Sequence, residues 1–297
     1  MKTPYDIAAA NKRKTVVIFL FFIILAVTVA YIMGQALGYN GLSIAGVFLI
    51  LSGIWSFVSY YYSDSLILTM SGAKPATREH HFAFYTAVEN LCIASGLPMP
   101  KLYVIEDSAP NAFATGRDPK HAVVAATTGL LHKLRAVEVE AVVAHELSHI
   151  KNYDTRILGV VTILAGSIAL LSDIFLRSLW FRGDKSRNGS QLFMILGIGA
   201  AILAPIAATI MQLAISRKRE FLADADGALL TRYPEGLASA LEKIAKDNEK
   251  LKTASVATAH LYIENPFKSG EKKNSWIVGL FSTHPPVEER IKILRSM

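Results

Sequence analysis

From Thr15 to Ser63 the chain carries no Asp, Glu, Lys or Arg. An apolar run without a polar face has nothing to turn toward water, so it predicts helices surrounded by hydrocarbon or by protein. Residues 15–33 make one such run of nineteen residues, close to the ~20 that span a bilayer core as a helix. Residues 41–62 make a second, which ends in Trp55, Tyr60, Tyr61 and Tyr62, an interfacial aromatic belt. A third run covers 157–175. A fourth covers 191–215, with Pro205 inside it as a predicted kink. The first run is not read as a cleaved leader, because fourteen residues precede it and a second span follows almost at once.

Between the second and third runs the pattern changes to mixed polar and apolar positions. Leu130, Leu131, Leu134, Val137, Ala141 and Ala144 recur at three- and four-residue spacing, with no Pro or Gly from 130 to 158, which predicts a helix. The stretch from Asn111 to Gly116 follows Pro110 and precedes the β-rich residues 122–126, which predicts a short edge strand in a small sheet. Leu237, Leu241 and Ile244 mark an amphipathic helix with a solvated Lys/Glu face. The fold class is therefore mainly α, a multi-span helical membrane protein with a catalytic domain that contains a small β-sheet. Four segments follow: 1–63, a cytosolic tail and two transmembrane helices; 64–156, the first part of a catalytic domain; 157–215, an apolar helical hairpin (transmembrane helices three and four); and 216–297, its second part.

Composition agrees. Charged residues make up 19%, below the roughly 25% of a soluble domain. The net charge of +7 does not indicate nucleic acid, because the basic residues flank apolar runs (Lys12, Arg13, Lys14; Arg217, Lys218, Arg219) and no nucleic-acid motif is present. The single cysteine, Cys92, excludes a disulfide framework and a cysteine-rich zinc site. Lys12 to Lys14 orient the amino terminus and the 64–156 segment toward the cytosol. The loop between the third and fourth runs disagrees, since Arg177, Arg182, Lys185 and Arg187 would lie outside if both runs span; a buried or re-entrant hairpin stays open.

The chemistry lies in His145-Glu146-Leu147-Ser148-His149. Positions i and i+4 share a helix face, so both imidazoles reach one metal ion, and Glu146 is placed to take a proton from the attacking water. Zinc catalysis needs a third protein ligand. Glu220 is the candidate, with Asp224 one turn further able to orient a ligating histidine. His149 lies eight residues before the third run and Glu220 five after the fourth, so a hairpin that returns to the same side brings the half-sites together. The expected cofactor is one Zn²⁺ per chain.

The ordered set of paired amino-terminal spans, HELSHIKNYD, an apolar hairpin, EFLADADG, ATAHLYIENP and STHPP resembles the HtpX family of membrane zinc endopeptidases, relatives of the CAAX prenyl proteases. The resemblance implies a gluzincin-like metalloendopeptidase with His145, His149 and Glu220 as zinc ligands, Glu146 as general base and Asp224 behind the ligands. It implies an inner-membrane, multi-pass enzyme with a cytoplasmic site. That enzyme disposes of damaged or misfolded membrane proteins in stress and quality control, with protein substrates and the lipid bilayer as partners. The NAFA segment, Asn111, Ala112, Phe113 and Ala114, would pair with an extended substrate. His284 would stabilise the developing oxyanion as a second catalytic residue. Two other readings are a CAAX-type prenyl-peptide endoprotease and a catalytically idle zinc-stabilised scaffold. Four spans are few for a chamber, and a structural zinc site has no use for Glu146. Residues 1–14 carry no motif; the helix that starts at Pro286 could also bring Arg290 near the site, and no role is assigned to it.

Overall fold

The computed structural model describes residues 4–36, 40–180, 199, 217–254, 258–264 and 285–297. Helix α1 (Pro4–Ala36) runs through the first apolar segment, and α2 (Gly41–Met70) returns alongside it, started by Asn40, whose side chain accepts from the N–H groups of Leu42 and Ser43. Their outer faces leave Val17, Ile24, Leu42, Ile50, Ile54 and Phe57 more than half exposed. A contiguous apolar belt of that kind is stable against lipid and not against water. Among the described residues these two helices are long and apolar enough to cross a membrane.

The inner face of α2 is lined by Ser52, Ser56, Ser59 and Ser63, all buried, and the hydroxyls of Ser56 and Ser59 bond back to carbonyls of the preceding turn. Such small residues let helix backbones approach. The neighbour is α6 (Asp154–Trp180), which contains the third apolar run and begins three residues earlier than the run itself. A side chain at Gly159 of this helix would meet the Ser63 hydroxyl at 2.9 Å, so glycine is what permits the approach. Ile157, Val160, Val161, Leu164 and Ala165 are buried against Phe22 and its neighbours on α1. Between helices in hydrocarbon such contacts hold by close van der Waals packing and not by removal from water. Apart from residue 199, the fourth run lies outside the described residues, as do residues 181–190 before it, while Arg177, expected in that loop, falls within α6.

The body beyond the membrane helices is a four-stranded sheet with helices around it. Strands β1 (Lys74–Pro75), β2 (Lys101–Ile105), β3 (Ala112–Thr115) and β4 (Val123–Thr127) are ordered β1-β2-β4-β3, with β2 and β4 parallel and the outer pairs antiparallel. Alternation along the strands divides the core. Leu102, Val104, Ala112, Ala114, Val124 and Ala126 pack toward α3 (Phe82–Ser95) and the helix that carries His145 and His149. Ile105, Phe113, Val123 and Ala125 pack toward Ile67 and Leu68 at the end of α2 and Ile163 of α6. The sheet is thereby fixed to the ends of the membrane helices.

The single helix expected from Leu130 onward is two: α4 (Thr128–Lys133) and α5 (Ala136–Lys151). Leu134 is extended between them, and the Glu138 carboxylate restarts the second helix by accepting the Arg135 N–H at 2.7 Å. Glu138 is fully buried and also takes Ser239 and Lys243, each at 2.7 Å, tying α5 to α8 (Pro234–Lys246). Between these, α7 (Arg217–Thr231) packs along α5, and α9 (Val287–Arg295) closes the bundle against α8 and α7.

Candidate active site

On α5, His145, Glu146 and His149 are buried although polar. Their helix forms because its opposite positions (Val139, Val142, Val143, Leu147, Ile150) fill the main core, which leaves the HExxH face for α7 and β3. The two imidazoles point the same way, with Nε2 atoms 3.2 Å apart. Glu220 comes from α7, its oxygens 3.9 Å from His145 Nε2 and 3.5 Å from His149 Nε2. This close approach needs Gly227, where a Cβ would stand 3.0 Å from the His145 nitrogen. Ser148 and Asn152 add a second tie, both donating to the Asp226 carboxylate of α7.

The far nitrogens of both histidines face carboxylates. Asp224 stands 2.9 Å from His145 Nδ1. Asp154 stands 3.0 Å from His149 Nδ1. Neither carboxylate is left alone. Arg290 of α9, completely buried, donates to Asp224 through Nε at 2.8 Å and Nη2 at 2.7 Å, and through Nη1 to the Ile263 carbonyl at 2.9 Å. Asp154 receives Arg219 of α7 and, at 2.8 Å, the amide of Asn11. Asn11 also donates to the Asn152 carbonyl at 2.7 Å and accepts from Arg219 Nη1 at 3.0 Å. Tyr153, between α5 and α6, is left-handed at φ 59°, a conformation costing a non-glycine residue roughly 1–2 kcal/mol. It breaks the helix so that Asp154, five residues after His149, reaches back to it.

Sequence reasoning missed these outer partners. Asp154 was visible as a carboxylate just past the HExxH helix. Arg290 was read on a helix started by Pro286 that could come near the site, but nothing local pointed to Asp224 as its partner. Asn11 lay in a tail with no motif, and that tail turns out to be helical from Pro4 and to reach the site.

The electrostatics ask for a cation. Burial pushes the His149 imidazole down, but Asp154, Glu220 and Glu146 around it outweigh this and hold it up at about 9. Burial pushes the Glu146 carboxyl up, against the pull of His145 and His149, and the Glu220 charge adds to the rise. That direction suits a carboxylate that must accept a proton near neutrality. The donor set fits a metal ion: one atom each from His145, His149 and Glu220, all within 4.8 Å of one another and all buried. Ligand bonds of about 2.0–2.2 Å in tetrahedral geometry imply donor separations of roughly 3.2–3.6 Å, close to those seen.

The remaining predicted residues fall as follows. β3 is an edge strand, antiparallel to β4, and Asn111, Ala112, Phe113 and Ala114 are all buried. Ala112 turns its carbonyl away from β4 to accept the Ile263 N–H at 3.0 Å, the Asn111 amide donates to the Glu264 carbonyl at 3.0 Å, and the Ala114 N–H faces Glu146. His284 lies outside the described residues.

The family profile of Peptidase family M48 matches residues 84–297, which include every residue of the His-His-Glu grouping. This chain belongs to peptidase family M48. Curated relatives agree over the full length. "Protease HtpX homolog" from Thermoanaerobacter pseudethanolicus is 43% identical over all of this chain and 98% of its own length. The protein of the same name from Tropheryma whipplei strain Twist is 46% identical over 99% and 98%. The crystal structure of S. mikatae Ste24p overlaps 93% of this chain and 61% of that one, at 18% identity and a TM-score of 0.47. As an M48 protein the chain is a metalloprotease, its substrates are proteins, and its apolar helices mark it as a membrane protein.

Proposed function

We propose that this M48 protein is a zinc-dependent endopeptidase of the cell (inner) membrane that cleaves damaged or misfolded membrane proteins on the cytosolic side. The observation that carries this is the buried convergence of His145, His149 and Glu220 beside Glu146, on helices whose neighbours continue into the apolar segments. In this reading one zinc per chain is held by those three residues, and Asp224 and Asp154 fix the two imidazole rings. Zinc bound there supplies Lewis acidity toward the scissile carbonyl and the attacking water. Glu146 accepts the water's proton and delivers it to the leaving amine. His284, by the family resemblance, donates toward the developing oxyanion.

The edge of β3 supports the mode of substrate binding. An extended peptide added to that edge gains main-chain hydrogen bonds without a demand on its sequence. Pairing as far as Ala112 requires Ile263 to release the Ala112 carbonyl. The cytosolic placement is supported by Lys12, Arg13 and Lys14 at the start of the first apolar run. Membrane-protein substrates follow from position: the sheet that bears β3 packs on the end of α2, so segments emerging from the bilayer are the nearest clients.

The test compares purified wild type with Glu146→Gln. The variant is expected to retain wild-type zinc content and to lose cleavage of casein-like substrates. Cleavage at the wild-type rate would refute the assignment of the base.

A further inference from the structure

Three cations from three separate segments converge at the start of α6. The Arg156 guanidinium lies 5.0 Å from the ring centre of Tyr153 and 5.5 Å from that of Tyr60. Lys12 of α1 lies 4.8 Å from the Tyr153 ring, and Arg117, in the β3–β4 connection, 5.3 Å from the ring of Tyr61. Arg156 Nε donates to the Arg117 carbonyl at 2.6 Å, which locks two of the three together. Aromatic faces aim cations without neutralising them.

The neighbouring carboxylates are already engaged. Asp154 is buried and taken by His149, Asn11 and Arg219. Asp118 gives Arg117 one long ion pair, Oδ2 to Nε at 3.7 Å, while its Oδ1 takes His121 at 2.8 Å and the N–H groups of Lys120 and His121. Among the described residues, Lys12 and Arg156 make no ion pair. Three like charges gathered over Tyr60, Tyr61 and Tyr153 repel one another, and Tyr153, which faces two of them, is held at a left-handed φ of 59°. The cluster also lies where the apolar faces of α1 and α2 end, at Thr15 and at Tyr60 to Tyr62, so the anion best placed to enter it is attached to the bilayer.

We propose that Lys12, Arg117 and Arg156, framed by Tyr60, Tyr61 and Tyr153, bind the phosphodiester headgroup of an anionic phospholipid. The site rests on the placement of α1 and α2 in a bilayer and not on the peptidase chemistry, so Glu146→Gln is expected to bind lipid as wild type does. Each basic residue at an anionic surface contributes about a fivefold gain in binding, three about 100-fold before salt screening.

The test is lipid retention on the full-length protein, released from nanodiscs of mixed phosphatidylglycerol and phosphatidylcholine and read by native mass spectrometry. Wild type is expected to retain phosphatidylglycerol at least about tenfold over phosphatidylcholine. Lys12→Gln/Arg117→Gln/Arg156→Gln is expected to lose that preference, and Lys101→Gln/Lys120→Gln/Lys292→Gln, of equal charge change, to keep it. If the first triple variant does not fold, Lys12→Gln/Arg117→Gln takes its place, since Arg156 still has the Arg117 main-chain carbonyl. No preference in wild type overturns the proposal. So does equal loss in both triple variants, an unchanged preference in the first, or complete displacement of the lipid by millimolar inorganic phosphate, which would make this a site for free anions.

Discussion

Replacing Arg290 with Met tests how the fold holds the residue behind His145. The guanidinium is fully buried, makes two hydrogen bonds of 2.7–2.8 Å to Asp224, and a third to the Ile263 carbonyl. Burial raises the Asp224 carboxyl, and Arg290 is the chief influence that brings it back below the ordinary carboxylate range. Methionine fills much of the same volume but leaves Asp224 charged, buried and close to Glu220, with only His145 as partner. Breaking a buried pair by removing one member costs about 3–5 kcal/mol, a large part of the 5–15 kcal/mol that holds a typical domain together. The loss should be measured on chelated protein in detergent by denaturant unfolding, so that metal binding does not add to the native state. Adding Asp224→Asn to Arg290→Met removes the stranded charge and is expected to return about 2 kcal/mol, a coupling characteristic of groups in direct contact. The reasoning fails if Arg290→Met unfolds within 1 kcal/mol of wild type, or if the double variant is no more stable than the single one.

Glu138 gives the chain an acid-sensitive joint. Burial pushes its carboxyl up, but Lys243, Ser239 and Arg135 outweigh this and hold it at about 2, below the 4.5 of an ordinary glutamate. A folded value below the unfolded one contributes stability that is complete above pH 4.5 and disappears as pH falls toward 2. The half-exposed partners reduce its worth to about 1–2 kcal/mol. Glu138→Gln should lose that amount at pH 7 and show a flatter unfolding midpoint between pH 5 and 2; curves parallel to wild type would contradict it. Asn11→Leu removes the amide that fixes Asp154 and is expected to weaken zinc retention against a chelator by roughly tenfold, as loss of a ligand-orienting group does. Retention equal to wild type would mean that Arg219 alone holds Asp154.

The HExxH pair was legible because a four-residue spacing on a helix is a local property that no tertiary contact can alter. Glu220 and Asp224 were legible for the same reason, once the apolar hairpin implied that its two ends meet. The strand at Asn111 to Gly116 and its antiparallel partner could be read from the turn and the β-rich run after it. Residues that depend on which helix ends meet were not legible. Arg290 reaches Asp224 across 66 positions and Asn11 reaches Asp154 across 143. The break between α4 and α5 was hidden too, because neither Pro nor Gly causes it: a glutamate three residues on captures a backbone N–H and starts a new helix.

The groups behind His149 share one location in the fold. Asp154 is the first residue of α6, Arg219 the third of α7, and Asn11 lies one turn before the uncharged run of α1 begins. Asp154 and Arg219 lie in the first turns of their helices and Asn11 is the eighth residue of α1, and each stands close in sequence to an apolar run. A polar group beside such a run cannot move into hydrocarbon without desolvation, and the apolar turns cannot move outward without exposure to water. The step from polar to apolar residues therefore resists axial movement of α1 and α6, and hydrogen bonds of 2.7–3.0 Å tie those positions to the imidazole ring. One residue of axial slip displaces a side chain by 1.5 Å, enough to break all of them. The catalytic body does not carry a complete support for His149 by itself; α1 supplies part of it, which is a physical reason for the membrane helix and the metal site to occupy one chain.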